Sequence, residues 1–160
     1  MRFTLIKDLK KDTSMRPILT GLLIFTLLYL ISDIFVKYSS FGISTDAVKL
    51  TLFGNEEEFI DPISESSFLE FWHMEIFFIM MILLTLSAVF IRVSNKSNKD
   101  IFLTNITMIS AIISLISLIG SFYLSSAFIE IYVVTFFTWH IAAIYMSLFS
   151  IWKLNYDKSI

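Results

Sequence analysis

Two stretches of the chain, SSFLEFWH at Ser66–His73 and SSAFIEIYVVTFFTWH at Ser125–His140, hold both of its histidines. The second reads as the first with an extra alanine and seven further residues before its Trp-His. Each histidine follows a glutamate, Glu70 or Glu130. On a helix that turns about 100° per residue, each histidine points to nearly the same side as its glutamate. Imidazole and carboxylate on one face can hold a metal, a haem iron or a proton. The two sites differ in depth, because His140 lies about 10 Å further along its helix than His73 does along its own.

That offset bears on each chemistry. One iron with a histidine from each of two helices needs both rings at one level, so the gap counts against a shared b haem. A di-metal bundle wants two E-x-x-H motifs. Glu70-Phe-Trp-His73 is one, but Phe137 stands where the second needs its glutamate. If a metal is held, Glu70, His73 and His140 are its candidates. Ser67-Phe-Leu-Glu70 also has the form of a capping box, which would make Glu70 a helix cap.

Other ionisable residues gather at the same end of the apolar stretches. Asp33 lies four residues before Lys37, and Glu75 is too deep in its stretch to serve as a cap. Glu75 lies about 200° from His73, so the two face different neighbours. Ionisable groups in hydrocarbon are costly and face a bundle interior or a watery cavity. The expectation is a cluster of Asp33, Glu70, His73, Glu75, Glu130 and His140 that handles protons or cations.

The elements that must position these groups are transmembrane helices. Of the 160 residues, 56% are hydrophobic and only 16% charged, with mean hydropathy +0.78. That exceeds the apolar share of a soluble domain, about 45–50%. Charges are nearly absent from residues 17–36, 68–91, 101–123 and 128–152. Each run approaches or exceeds the roughly 20 residues that cross a bilayer as a helix. The fold class is therefore an all-α integral membrane protein, one domain of four spans in an up-down bundle. A barrel would show alternating strands of about ten residues instead.

Basic residues orient the bundle. Arg2, Lys7, Lys10, Lys11 and Arg16 precede the first span; Arg92, Lys96 and Lys99 separate the second and third; Lys153 and Lys158 follow the fourth. The positive-inside rule places both termini in the cytoplasm of a cell with an inner membrane, and the acidic loop 37–67 outside. Residues 1–16 put Phe3, Ile6 and Leu9 on one face, as in a short interfacial helix. In the outer loop VKLTLF, at Val48–Phe53, alternates like a short strand or interfacial segment, and Gly54-Asn55 reads as a turn. Trp72, Tyr132 and Trp152 suit the aromatic belts. With no cysteine, disulfides and thiolate metal sites are excluded.

Helix packing has its own signal. Thr107, Ser110, Ser114, Ser117 and Ser121 form one narrow stripe; His140, Ala143, Ser147 and Ser150 form another. In lipid, small hydroxyl-bearing faces allow close approach and interhelical hydrogen bonds. The short link between these helices makes them antiparallel neighbours, with His140 expected near Ser110 or Ser114.

The leading functional expectation is a non-enzymatic accessory or structural subunit whose outer carboxylate/His cluster handles protons or cations. No Walker loop, G-x-S-x-G, H-E-x-x-H or Rossmann glycine pattern occurs. Alternatives are a b-type haem- or quinone-binding electron-transfer subunit near His73 and His140, and a small channel or transporter. The expected partners are the lipid bilayer and a homo-oligomer or larger membrane complex. A nucleic-acid role has no basic aromatic surface to rest on.

Overall fold

The computed structural model describes residues 15–94 and 97–156, and within them every regular element is a helix. The order is α1 (Met15–Ser40), α2 (Thr45–Phe53), α3 (Glu65–Val93), α4 (Asn98–Tyr123) and α5 (Phe128–Asn155). The expected interfacial helix carrying Phe3, Ile6 and Leu9 lies outside the described residues. Four of the helices, all but α2, are long and apolar enough to span a membrane. At 26 to 29 residues, each is about 40 Å long and overshoots a hydrocarbon core of about 30 Å. The overshoot comes from polar turns at the helix ends, which composition alone had left out of the spans.

Those ends are set by local chemistry. Ser64 caps α3 by accepting from the backbone N–H of Ser67, so the box expected at Ser67 and Glu70 is displaced by one turn. Glu70 therefore has no capping role. Ser97 and Asp100 form a reciprocal capping box at the start of α4. At the far end of α1, the N–H groups of Phe41 and Gly42 both donate to Lys37 O, at 3.0 and 2.6 Å. Gly42 then turns the chain at φ +90°, where a Cβ would lie 2.5 Å from that of Ala47.

The segment expected as a short strand or an interfacial segment is the helix α2, so the strand alternative falls. Ser44 caps it by accepting from Ala47 N–H, and Val48 and Leu52, four apart, are its buried face. An alternation lasting only a few residues was outweighed by that cap and that i,i+4 pair. Beyond α2, Asn55 and Ile60 pair across a turn of Glu56–Phe59.

Among the spanning helices, α4 and α5 make the most extensive interface, and α5 packs against each of the other four helices. Thr107, Ser110, Ser114, Ser117 and Ser121 are all buried, as are His140, Ala143, Ser147 and Ser150. Several hydroxyls bond their own helix. Thr107 donates to Leu103 O, Ser121 to Leu118 O and Ser150 to Met146 O. Across the interface, Thr107 Oγ1 lies 3.6 Å from Met146 Sδ. The three aromatics expected in the belts differ in exposure. Tyr132 is buried, and half-buried Trp72 donates its indole N–H to Leu115 O of α4 at 3.0 Å. Trp152 is exposed.

Candidate functional site: a buried charge quartet

Helix α1 crosses α5 in a regular antiparallel register. Stepping back by four residues from Phe41, just past the end of α1, to Lys37 and Asp33 within it matches stepping along α5 from Tyr132 to Phe136 to His140. Each pair touches. The Phe41 and Tyr132 rings lie 6.4 Å apart edge to face, and Lys37 Nζ sits 4.4 Å above the Phe136 ring. Asp33 Oδ2 lies 3.0 Å from His140 Nε2. From α3, Glu75 completes the group, its Oε2 2.6 Å from Lys37 Nζ. Lys37 Nζ also stands 3.4 Å from Asp33 Oδ2. Two acids and two bases thus form one chain, Glu75–Lys37–Asp33–His140, drawn from three helices.

Burial makes its charge balance consequential. The side chains of Lys37 and His140 are 1% exposed, those of Asp33 and Glu75 9%. A lone charge in such surroundings costs several kcal/mol, so it is paired or neutralised. Lys37 supplies one positive charge against two carboxylates. His140 Nδ1 lies 3.2 Å from Phe136 O, an atom that can only accept, so Nδ1 carries a proton. The variable position is then Nε2, facing Asp33. With a proton there the quartet is neutral; without it, the net charge is −1.

The Asp33–His140 approach is close but not aligned. Neither Asp33 Oδ2 nor His140 Nε2 has a partner in hydrogen-bond geometry, though the two are at ion-pair distance. The separation keeps the two groups electrostatically coupled, and the poor angle means that the proton between them is not locked in place. At 3.0 Å, no metal fits between Nε2 and the carboxylate. Among the described residues, no group of three or more His, Asp or Glu is placed to hold a metal ion.

Toward the α2 side the quartet is roofed by aromatic rings. Phe41 stacks on Phe71 at 4.7 Å, and the Phe71 centroid is 5.9 Å from Lys37 Nζ. Tyr132 and Phe136 continue the cover from α5. Grooves on the α2 face share no residue with the quartet.

Of the six ionisable residues singled out by sequence, Asp33, Glu75 and His140 come together. Glu70, His73 and Glu130 are exposed on their helices and are not drawn in. His140 meets Asp33 of α1 instead of a hydroxyl of α4. The cation was missed: Lys37 had been counted with the outer loop, although its i,i+4 spacing from Asp33 was visible. The aromatic roof left no signal beyond the abundance of phenylalanine.

A family model described as a transmembrane helical domain, Aq_1264_TM, matches residues 42–159. The matched region runs from the end of α1 through α5. It takes in Glu75 and His140 and leaves out Asp33 and Lys37. No curated protein and no solved structure matches the chain.

Proposed function

Because the chain belongs to this family of transmembrane helical domains, we propose that it is a multi-pass inner-membrane protein whose buried quartet binds and releases a proton. In this reading it is a non-enzymatic accessory subunit of a homo-oligomer or larger membrane complex, with both termini in the cytoplasm. The orientation rests on the basic residues, ten of twelve of which lie on the side of the termini. The non-enzymatic assignment rests on the lack of a recognisable catalytic motif in the sequence.

The observation that carries the proton reading is the pairing of Asp33 with His140 beside an already paired Lys37 and Glu75. One proton decides between a neutral and a charged buried group, and a group near that balance serves as a proton site. The test is infrared titration of the protein in lipid nanodiscs. A single carboxylate–imidazole protonation step is expected, absent from His140→Gln and Asp33→Asn. Identical spectra across the pH range in the wild type would overturn the reading.

A second reading is favoured by the way α1 is held. Lys37–Glu75 joins α1 to α3 and Asp33–His140 joins it to α5, so the quartet is also a clamp. As a clamp alone, it would stabilise the bundle and show no titration step.

A further inference from the structure

The α1–α5 register continues past the quartet toward the termini. Continued below Asp33 and His140 in steps of three and four, the register sets Leu30 level with Ala143, Thr26 with Ser147 and Leu23 with Ser150, all six of them buried. At the end of the seam Asn155 Nδ2 reaches Thr20 Oγ1 at 3.4 Å, and Arg16 donates to Asn155 O at 2.6 Å. A polar pair therefore recurs about 10 Å below the quartet, and again near the helix ends. On α5 the residues at these levels, Ala143, Ser147 and Ser150, are small.

Five buried polar side-chain atoms among the described residues lack a hydrogen-bond partner. Three of them lie on this seam: Asp33 Oδ2, His140 Nε2 and Ser147 Oγ. Ser147 is 0% exposed. A hydroxyl so buried, in lipid, ordinarily finds a partner, and water is the usual one where protein supplies none. Opposite it, Thr26 donates its proton to Leu22 O at 3.0 Å and keeps its lone pairs free to accept. The other direction is closed by the rings of Phe41, Phe71 and Tyr132.

We infer that the Asp33–His140 pair exchanges its proton with the termini side of the bundle, along the α1–α5 seam, through water held between Thr26 and Ser147. This rests on the quartet being a proton site and adds the side from which it is served. On release, the Nε2–H bond breaks, its electron pair stays on the imidazole, and the proton passes to water and out past Thr20 and Asn155. The quartet changes from neutral to −1. The groups that set its field are Tyr29, Asp33 and Lys37 from α1, Glu75 from α3 and Tyr132 from α5. Buried α4 residues contribute hydroxyls only, and buried α2 residues are apolar.

The experiment is a pH jump on the full chain in nanodiscs, with the carboxylate–imidazole infrared signal followed in time. Ser147→Ala, which removes only the oxygen, and Thr26→Val should each slow the response roughly tenfold while leaving the end-point spectra unchanged. Ser147→Thr, which keeps the hydroxyl, should restore the rate. Phe41→Leu, in the roof, should leave it unaltered. Wild-type rates in both seam variants would overturn the route while the proton site stands, and so would acceleration by Phe41→Leu alone. No titration step in the wild type would remove the site itself, and the route with it. In vesicles sorted so that the termini face outward, an external jump should reach the pair before the internal pH changes; the reverse order would also overturn the route.

Discussion

Asp33 of α1 and His140 of α5 face each other across the seam, Oδ2 to Nε2 at 3.0 Å, with Lys37 one turn above on the same face of α1. The consequence is an unequal set of single-site effects. Removing Lys37 leaves two carboxylates with only His140 to balance them; removing Asp33 leaves Lys37 and Glu75 as a balanced pair. Lys37→Met should therefore be the most destabilising change in the quartet, by about 3–5 kcal/mol, the usual result of breaking a buried pair. Asp33→Asn should cost less. Unfolding in mixed micelles, followed by circular dichroism, gives the order.

Glu75 supplies the shorter contact to Lys37, and the loss of Lys37 should be correctable through it. Glu75→Gln alone leaves Lys37 to Asp33, with His140 neutral. Lys37→Met with Glu75→Gln removes one charge of each sign and leaves Asp33 with His140. The double variant should be more stable than Lys37→Met alone, because a buried pair replaced as a unit costs little compared with a pair left half-made. Equal instability of the single and double variants, by the same unfolding assay, would mean that Lys37 acts through its packing on Phe136 and Phe71.

How much of this was open to reading in the sequence follows from what one helix can and cannot reveal. The four spans announced themselves by length and lack of charge, and the stripe from Thr107 to Ser121 by its spacing. Depth was only partly legible: His140 lies near the middle of α5, yet it meets Asp33, which the sequence groups with the acids at the loop end. Direction was not, because a helix reveals which residues share a face but not which neighbour that face meets. Glu70 and His73 share a face, and it is exposed; Glu75, about half a turn round, is buried. Lys37 was hidden by its position near the helix end, where a lysine ordinarily snorkels to the interface. Here Gly42 folds α2 back and Phe41 and Phe71 close above it, so the same lysine is sealed inside. Nothing in the local pattern around Lys37 distinguishes these outcomes.

That closure depends on Gly42. Its φ of +90° is unfavourable for any residue with a Cβ, and the added carbon would press on Ala47 at 2.5 Å. Gly42→Ala should cost about 1–3 kcal/mol from the backbone strain alone. Its effect should fall on the α1–α2 corner, with faster amide hydrogen exchange in Phe41–Val48 and little change in the α4–α5 hairpin. Uniform loss of protection across the chain would argue that the corner is not an independent unit.

The three tryptophans report the packing, because they differ in exposure. Trp139 is 0% exposed and packs on His140 with ring centroids 3.8 Å apart, whereas Trp152 is 55% exposed near the end of α5. Trp72 lies between them, half-buried and tied to Leu115 O. Variants keeping one tryptophan each, the others changed to phenylalanine, should separate in nanodiscs made with brominated lipid. Trp152 should be strongly quenched, Trp72 partly and Trp139 hardly at all, because bromine quenches only at contact. The Trp72→Phe change in two of these variants also removes the bond to Leu115, at a cost of about 0.5–1.5 kcal/mol. That loss should appear as a modest fall in unfolding midpoint shared by both variants lacking Trp72. Strong quenching of Trp139 would show lipid reaching the heart of the bundle, and the quartet beside it would then have no low-dielectric surroundings to make a single proton decisive.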